Sequence, residues 1–508
     1  MKWKNTACLR RVRKRGFVPH LTKLLGLAGI DAQRVVGNAD ILISAIASDS
    51  RAVVPGALFV AIAGNAQNGT AYIEDAIARG AVAVLRAASG DTWGYSAALV
   101  EVADVRLATA TMAAAFYAPQ PAYCFAITGT DGKTSTADFV RQLAVFAGRD
   151  AASIGTLGLR SSHEKLDAAF PANNTSPEPI LLHQTLQHLA HAGVQVAAIE
   201  ASSHGLDQKR LDGVKFTAAA FTNLTRDHLD YHGTVEAYAA AKARLFSEVL
   251  PSKSIAILNR DDAQFETLRV LCEKRHITVK SFGYHAAADY RIVRVTPHAH
   301  GLDAEITLDG ASHSVSLPLY GAFQLSNMLA AMGLLHSAGV ALDAMVAHLP
   351  DLRGVPGRLE KIAIAASGAP IFVDYAHTPA ALENILKTLR SHTKNKLHVV
   401  FGCGGDRDAG KRPEMGRAAA AFADVVIVTD DNPRSENPAA IRAAIMAAAP
   451  GAKEIAGRAE AIAFATQQLG AGDVLVVAGK GHEQTQIVGN TVTHFSDAEQ
   501  IQHAVGAA

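Results

Sequence analysis

The apolar positions of this chain gather into short continuous runs with helical stretches between them. Ala57–Ile62, Tyr123–Ile127, Val194–Ile199, Phe216–Phe221, Ser254–Leu258, Ile371–Val373, Leu397–Phe401, Val425–Val428 and Val474–Ala478 are too short for helices. They are also too uniformly apolar for strands with one wet face, so they predict strands of a mostly parallel sheet covered on both sides. After Tyr123–Ile127 the period changes. Phe139, Val140, Leu143, Ala144 and Ala147 share one helical face, and Gly148 stands where that helix should stop. Three blocks emerge, 21–118, 119–352 and 353–508, after a basic, disordered extension over 1–20. The third block begins near Val355-Pro356-Gly357-Arg358 and repeats the strand–helix alternation. The fold class expected is α/β.

Composition narrows the choice of partners. A chain of 508 residues is too long for one core, and 49% hydrophobic with 19% charged residues is globular rather than disordered. Lys+Arg 48 against Asp+Glu 47 leaves no basic excess, which excludes broad nucleic-acid binding. Lys2, Lys4, Arg10, Arg11, Arg13, Lys14 and Arg15 form a basic leader, but no signal-like apolar core follows them. Cys8, Cys124, Cys272 and Cys403 are scattered, so they read as reduced thiols rather than a disulfide frame or zinc site. No apolar run approaches the roughly twenty residues that span a bilayer. A cytoplasmic, monomeric protein is the expectation.

Candidate chemistry sits where the strands end. Gly129-Thr130-Asp131-Gly132-Lys133-Thr134-Ser135 lies between a strand and a helix. Its glycines let backbone N–H groups turn toward a polyphosphate, and the helix start adds a positive dipole end. Lys133 would reach the β/γ-phosphates, and the Thr134 hydroxyl suits Mg²⁺. The spacing is shorter than the common GxxxxGK[ST] loop; its place after a buried strand is what points to a nucleotide. Glu200 ends another strand and offers a hard oxygen, and His228 in Thr225-Arg-Asp-His-Leu-Asp230 offers a nitrogen. Taken alone, Glu200 reads more readily as a helix cap, His228 as a satisfied buried histidine and Lys242 as a solvated helix lysine.

The short phosphate loop resembles the GT(N/D)GKT/S element of the Mur ligase family, and other segments then match in order from about Leu21 to the C-terminus. The resemblance, closest to the diaminopimelate-adding branch, implies three domains: UDP-binding, a central P-loop ATPase and a C-terminal Rossmann-like domain. It implies an ATP-dependent amide-bond ligase of peptidoglycan synthesis, working through an acyl phosphate on UDP-N-acetylmuramoyl-L-alanyl-D-glutamate with meso-2,6-diaminopimelate as the incoming amine. Lys133, Glu200, His228 and Lys242 become the catalytic set. Thr134, Glu200, His228 and Lys242, as a CO₂-derived carbamate, become the Mg²⁺ ligands. Asn327, Arg358, Asp374 and His377 join 129–135 as ATP contacts.

The same resemblance assigns Ser48, Ser50 and the loop Asn65, Ala66, Gln67 to the uridine nucleotide. It assigns Asn174, Thr175, Ser176, Ser202, Gln208 and Arg210 to the muramoyl dipeptide. Arg407, Asp431, Asn432, Pro433, Arg434, Gly479 and Glu483 fall to diaminopimelate. Arg434 is the informative residue, because a guanidinium would pair bidentately with the second carboxylate of diaminopimelate and repel the ammonium end of lysine. The chain departs from the family pattern at Asp131 and Gln324, each standing where Asn is usual, at Ala380 in an Asp position, and at Gln484-Thr485 in place of Asp-Tyr.

Overall fold

The computed structural model describes residues 18–63, 68–89, 91–167, 170 and 174–506. The basic leader up to residue 17 and the loop Asn65, Ala66, Gln67 lie outside them. The chain divides into two compact units, one of residues 1–283 with 330–342, the other of 284–329 with 343–508.

The first unit holds two sheets. The N-terminal one runs in the order Arg34–Val36, Ala98–Val102, Ala81–Ala87, Ala57–Ala61, Ala45–Ala47, parallel except for the first strand. Ala57–Ala61 is buried at every position, as its uninterrupted apolar run requires. Leu58, Val60, Leu85 and Val100 pack on one face against Leu21, Leu24 and Met112. The second sheet has the strands Gly158–Ser161, Ala151–Gly155, Val196–Glu200, Tyr123–Thr128, Ala218–Phe221, Ile255–Asn259 and Thr278–Gly283 side by side. Only the Gly158–Ser161 strand is antiparallel to its neighbour. The predicted strands are present, with ends displaced by up to two residues. The helix Lys133–Phe146 buries Phe139, Val140, Leu143 and Ala144, and Gly148 follows at φ +76°. The left-handed backbone there is what makes glycine the stop. The two sheets' layers are joined by the Lys209–Asp104 ion pair and by Gln184 Nε2 donating to the Tyr117 hydroxyl at 2.9 Å.

The second unit has a six-stranded sheet ordered Glu360–Ile364, Pro370–Asp374, Val474–Ala478, Leu397–Phe401, Val425–Val428, Lys453–Glu454. All but the first strand run parallel. Helices cover both faces: Leu382, Leu386 and Leu389 close one core with Phe372 and Phe401, while Ala461, Ile462, Ala465 and Ile501 close the other. A three-stranded antiparallel meander, Tyr290–His298, Gly301–Leu308 and Ala311–Leu317, belongs to the same unit. Because the parallel strands Pro370–Asp374, Val474–Ala478, Leu397–Phe401 and Val425–Val428 are neighbours, their carboxyl ends and following loops share one edge. Cys124, Cys272 and Cys403 are buried free thiols.

One fully buried ion pair supports that edge. Arg458 and Asp497 have side chains at 0% exposure and bond at 2.7 and 2.6 Å, and Arg458 Nη2 also donates to Ala478 O at 3.0 Å. Removing one partner strands the other charge in the core. Arg458→Met is therefore expected to destabilise the protein by roughly 3–5 kcal/mol, and the double variant Arg458→Met/Asp497→Leu to recover much of the loss. Urea unfolding midpoints measure both; an Arg458→Met midpoint equal to the parent's would contradict the role given to the pair.

Candidate active site

The phosphate loop owes its shape to one close approach. Gly129 has φ +146°, and a Cβ there would lie 1.9 Å from Thr222 Oγ1. Thr222 in turn donates to Asp131 O at 2.6 Å, and Asn223 Oδ1 accepts from Asp131 N at 2.9 Å. The strand Ala218–Phe221 and the residues after it therefore mould the loop. Gly132 precedes the helix at φ +84°. Lys133 Nζ folds back to donate to Gly129 O at 2.9 Å and Thr130 O at 2.7 Å.

Glu200 stands beside the loop, 2% exposed. Its Oε2 accepts from Thr134 Oγ1 at 3.0 Å and Thr156 Oγ1 at 3.2 Å, and its Oε1 from Thr156 N at 2.9 Å. Gly155 makes room for the carboxylate, since a Cβ there would sit 1.9 Å from Oε1. A buried carboxylate and a hydroxyl side by side, next to a phosphate cradle, form the hard-oxygen donor set that suits Mg²⁺. Among the described residues no group of three His, Cys, Asp or Glu is gathered for a metal. His228 adopts a left-handed φ of +52°, is about half exposed, and lies 3.5 Å from its neighbour Asp227; its ring meets those of His204 and Tyr238. It is therefore not the buried histidine that one alternative allowed.

Lys242 is not a solvated helix lysine either. It is 2% exposed, at the point where the helix Val235–Arg244 passes into a π-helical turn over Leu245–Val249. Nζ donates to Gly129 O at 2.7 Å and lies 4.4 Å from the Tyr238 ring centre. Tyr238 is itself tied to the loop through Thr130 Oγ1 at 3.1 Å. Burial first, and the Lys133 charge second, lower the Lys242 ammonium to about 6, with Asp227 and Asp131 pulling the other way.

The segments expected to hold the muramoyl dipeptide meet behind Glu200. Ser176 Oγ donates to Glu200 O at 2.7 Å and accepts from Ser202 N at 2.9 Å; Thr175 Oγ1 pairs with Thr156 Oγ1 at 3.1 Å. Arg210 donates to Ser176 O at 3.0 Å and Gln208 Oε1 at 2.7 Å, while Asn174 is exposed. In the N-terminal sheet Ser50 is buried and Ser48 exposed, flanking Asp49, which is held by Arg51.

In the second unit the loops after the parallel strands interlock. Arg434, at φ +51°, donates from Nη1 to Gly405 O at 2.7 Å. Asn432 Nδ2 donates to Glu483 Oε2 at 3.2 Å. Burial, and then Asp431, push the Glu483 carboxyl up. Gly479 N donates to Asp374 O at 3.0 Å, and a Cβ on Gly479 would lie 3.5 Å from Asp431 Oδ2, which places Gly479 beside the 431–434 turn and Glu483. Arg407, on the same 404–412 loop, is exposed. Beside this cluster, Arg358 lies over the Tyr375 ring at 4.9 Å, and the His377 ring meets that ring edge-on at 4.6 Å and the His482 ring at a tilt at 5.6 Å. Asp374 accepts from Leu359 N and Ala376 N at 2.7 Å each, and burial raises its carboxyl to about 6. Asn327 bonds the departing residue Gln324 through Nδ2 at 3.0 Å. Sequence reasoning missed Thr156, which no motif marks, and Lys480, which lay unremarked inside the 479–483 run.

This chemistry is a nucleotide loop with a hard-metal donor pair in one unit and a mixed-charge cluster in the other. Three family descriptions fit along the chain: Mur ligase family, catalytic domain over 42–117; Mur ligase middle domain over 127–335; and Mur ligase, glutamate ligase domain over 357–481. The protein belongs to the Mur ligase family. It is 48% identical over 484 residues to a UDP-N-acetylmuramoyl-L-alanyl-D-glutamate–2,6-diaminopimelate ligase of Mesorhizobium japonicum, covering 95% of this chain and 99% of the relative. A protein of the same name from Caulobacter vibrioides is 47% identical, with 92% and 96% covered. A solved structure of a UDP-N-acetylmuramoyl-L-alanyl-D-glutamate–2,6-diaminopimelate ligase superposes with a TM-score of 0.73 at 34% identity, covering 97% of this chain and 99% of the other.

The phosphate loop makes one direct prediction. Gly129→Ala places a methyl carbon against Thr222 and distorts the N–H cradle, so nucleotide affinity should fall at least a hundredfold with the fold intact. Calorimetric ATP binding checks it, with circular dichroism as the control; parent-like affinity would show that the loop does not depend on this approach.

Proposed function

We propose that this Mur ligase joins meso-2,6-diaminopimelate to the D-glutamyl carboxylate of UDP-N-acetylmuramoyl-L-alanyl-D-glutamate, with ATP supplying the energy, in peptidoglycan synthesis. The observation that carries the choice of amine is Arg434. Its main chain is fixed at a left-handed angle and its guanidinium is held at Gly405 O beside Glu483 and Asn432. A guanidinium there favours an amine with a second carboxylate, and Glu483 with Asp431 favours the ammonium that accompanies it. Lysine would set its terminal ammonium against Arg434.

The three-domain division, 21–118 for the uridine substrate, 119–352 for ATP and 353–508 for the amino acid, is part of this reading. Residues 129–135 cradle the polyphosphate, with Lys133 on its outer phosphates. Asn327, Arg358, Asp374 and His377 complete the ATP contacts. Ser48, Ser50 and the loop Asn65, Ala66, Gln67 take the uridine nucleotide. Asn174, Thr175, Ser176, Ser202, Gln208 and Arg210 take the muramoyl dipeptide, whose carboxylates suit the Arg210 guanidinium and the Ser hydroxyls. Arg407 adds a cation for diaminopimelate. No helix among the described residues is long and apolar enough to cross a membrane, and a cytoplasmic monomer fits the reading.

The D-glutamyl carboxylate oxygen attacks the γ-phosphorus, the bond to the β-phosphate oxygen breaks, and an acyl phosphate and ADP result. The amine of diaminopimelate then attacks the acyl carbon, loses a proton, and phosphate leaves as the amide forms. Lys133 neutralises charge on the phosphoryl oxygens in the first step. Thr134, Glu200, His228 and Lys242 would hold Mg²⁺, which would supply further neutralisation of charge. Lys242 contributes as a carbamate, formed when its neutral amine attacks CO₂ and releases a proton. Two features support this: the amine's lowered affinity for protons, and its place on the carbonyl that also receives Lys133.

Phosphate release with ATP, Mg²⁺ and the UDP-muramoyl dipeptide tests the reaction. Turnover is expected with meso-diaminopimelate and at least a hundredfold less efficiently with L-lysine. Equal or better use of lysine would overturn the amine assignment, and no turnover with either would overturn the activity. Arg434→Ala should raise the KM for diaminopimelate by ten- to a hundredfold with little change in the KM for ATP, and an unchanged KM for diaminopimelate would refute the clamp.

A further inference from the structure

The loop that carries Arg434 is held from beneath by Lys480. This side chain is at 0% exposure, one of two buried lysines among the described residues, the other being Lys242. Its Nζ donates to Asn432 Oδ1 at 2.9 Å and Thr485 O at 2.8 Å, and lies 3.3 Å from Asp431 Oδ1. Two oxygens thus accept hydrogen bonds from the ammonium, and the Asp431 carboxylate stands beside it as counter-ion. An ammonium can only donate, so Asn432 must turn its oxygen toward Lys480. Ile487 N donates to the same oxygen at 3.1 Å. The amide nitrogen of Asn432 is thereby committed to the other side, where it donates to Glu483 Oε2 at 3.2 Å.

The hairpin formed by Thr485–Val488 and Thr491–His494 transmits the same restraint to Arg434. Arg434 N donates to Ile487 O at 3.1 Å, and Gly489 N donates to Arg434 O at 2.7 Å. These bonds hold Arg434 at φ +51°, a region that a residue with a side chain occupies only when its surroundings impose it. Thr485, whose carbonyl Lys480 binds, is where that hairpin begins. One buried ammonium therefore ties together Asp431-Asn432, the hairpin and, through Asn432, Glu483.

We propose that Lys480 is a positioning residue for the amine substrate: it fixes the Asn432 amide and the 485–494 hairpin, and so aims Glu483 and Arg434 at the substrate without touching it. The inference rests on the diaminopimelate reading above. An apolar residue could fill the same volume, but on its own it would leave the Asp431 carboxylate without its counter-ion, as Arg458→Met leaves Asp497. What an apolar residue could not do is dictate which face of Asn432 meets Glu483. Without the ammonium only Ile487 N–H still holds the Asn432 oxygen, so the amide is less firmly set and the Asn432–Glu483 pair presents a looser acceptor.

The test is steady-state kinetics on full-length Lys480→Met, Asn432→Leu and the double variant, with ATP and the UDP-muramoyl dipeptide. Lys480→Met should raise the KM for diaminopimelate at least tenfold and leave the KM for ATP within about twofold. Because Lys480 acts in part through Asn432, the double variant should lose clearly less than the product of the two single losses, whereas independent packing defects would multiply. An unchanged KM in Lys480→Met, or multiplied losses in the double variant, overturns the proposal. Should Lys480→Met fail to fold, Asn432→Asp tests the same link. It keeps an oxygen for Lys480 but loses the donor to Glu483, so a tenfold rise is expected and an unchanged KM refutes the link. The parent enzyme separates the two readings: a parent inactive with diaminopimelate sinks the substrate assignment, while an active parent with an unaffected variant sinks only the role of Lys480.

Discussion

Two lysine side chains converge on one carbonyl oxygen. Lys133 Nζ and Lys242 Nζ both donate to Gly129 O, at 2.9 and 2.7 Å. Burial first, and the neighbouring Lys133 charge second, lower the Lys242 ammonium to about 6. From that single constraint follows the division of labour around the phosphate loop. In the proposed function Lys133, partly exposed, serves the polyphosphate, while Lys242 supplies a neutral amine at the loop that also leads into Thr134. The loop can impose this only because Gly129 has no side chain, since Thr222 occupies the space where a Cβ would go.

The second unit carries the cluster to which the proposed function assigns the complementary problem, the recognition of an amine that also bears acids. Here cations and carboxylates are interleaved: Arg434 on Gly405 O, Glu483 on Asn432, Asp431 near Lys480. Beneath them Arg458 and Asp497 form an ion pair sealed from water that reaches the end of the strand Val474–Ala478. The cluster is possible because neighbouring parallel strands end at one edge, so loops far apart in sequence are brought into hydrogen-bonding distance. Rigid strand ends, rather than the loops themselves, set the geometry.

Much of this was legible in the sequence because the strands are buried on both faces. Runs such as Leu397–Phe401 and Val474–Ala478 announce themselves, and their observed limits match residue for residue. Strands that begin in mixed surroundings, such as Val196–Glu200 and Ala218–Phe221, start two residues later than the apolar runs suggest. The phosphate loop and the 431–434 turn were legible because glycine, proline and charge cluster there. Burial of single polar residues was not. Lys242 looks like any lysine on an alanine-rich helix, and only the packing of Tyr238 and the loop over it makes it a buried amine. Thr156 and Lys480 carry no local signal, since their partners Glu200 and Asn432 lie 44 and 48 residues away.

The claim on which the account turns is that Lys242 is a neutral amine near neutral pH and takes up CO₂. Carbon-13 NMR of the protein under a fixed pressure of ¹³CO₂ measures this directly, with Lys242→Ala as the control. Lowering of the ammonium to about 6 places the neutral form above that pH. A carbamate resonance should therefore grow as pH rises through about 6 and be missing from the control. A signal that appears only near the ordinary lysine range, or one that persists in Lys242→Ala, would contradict the account.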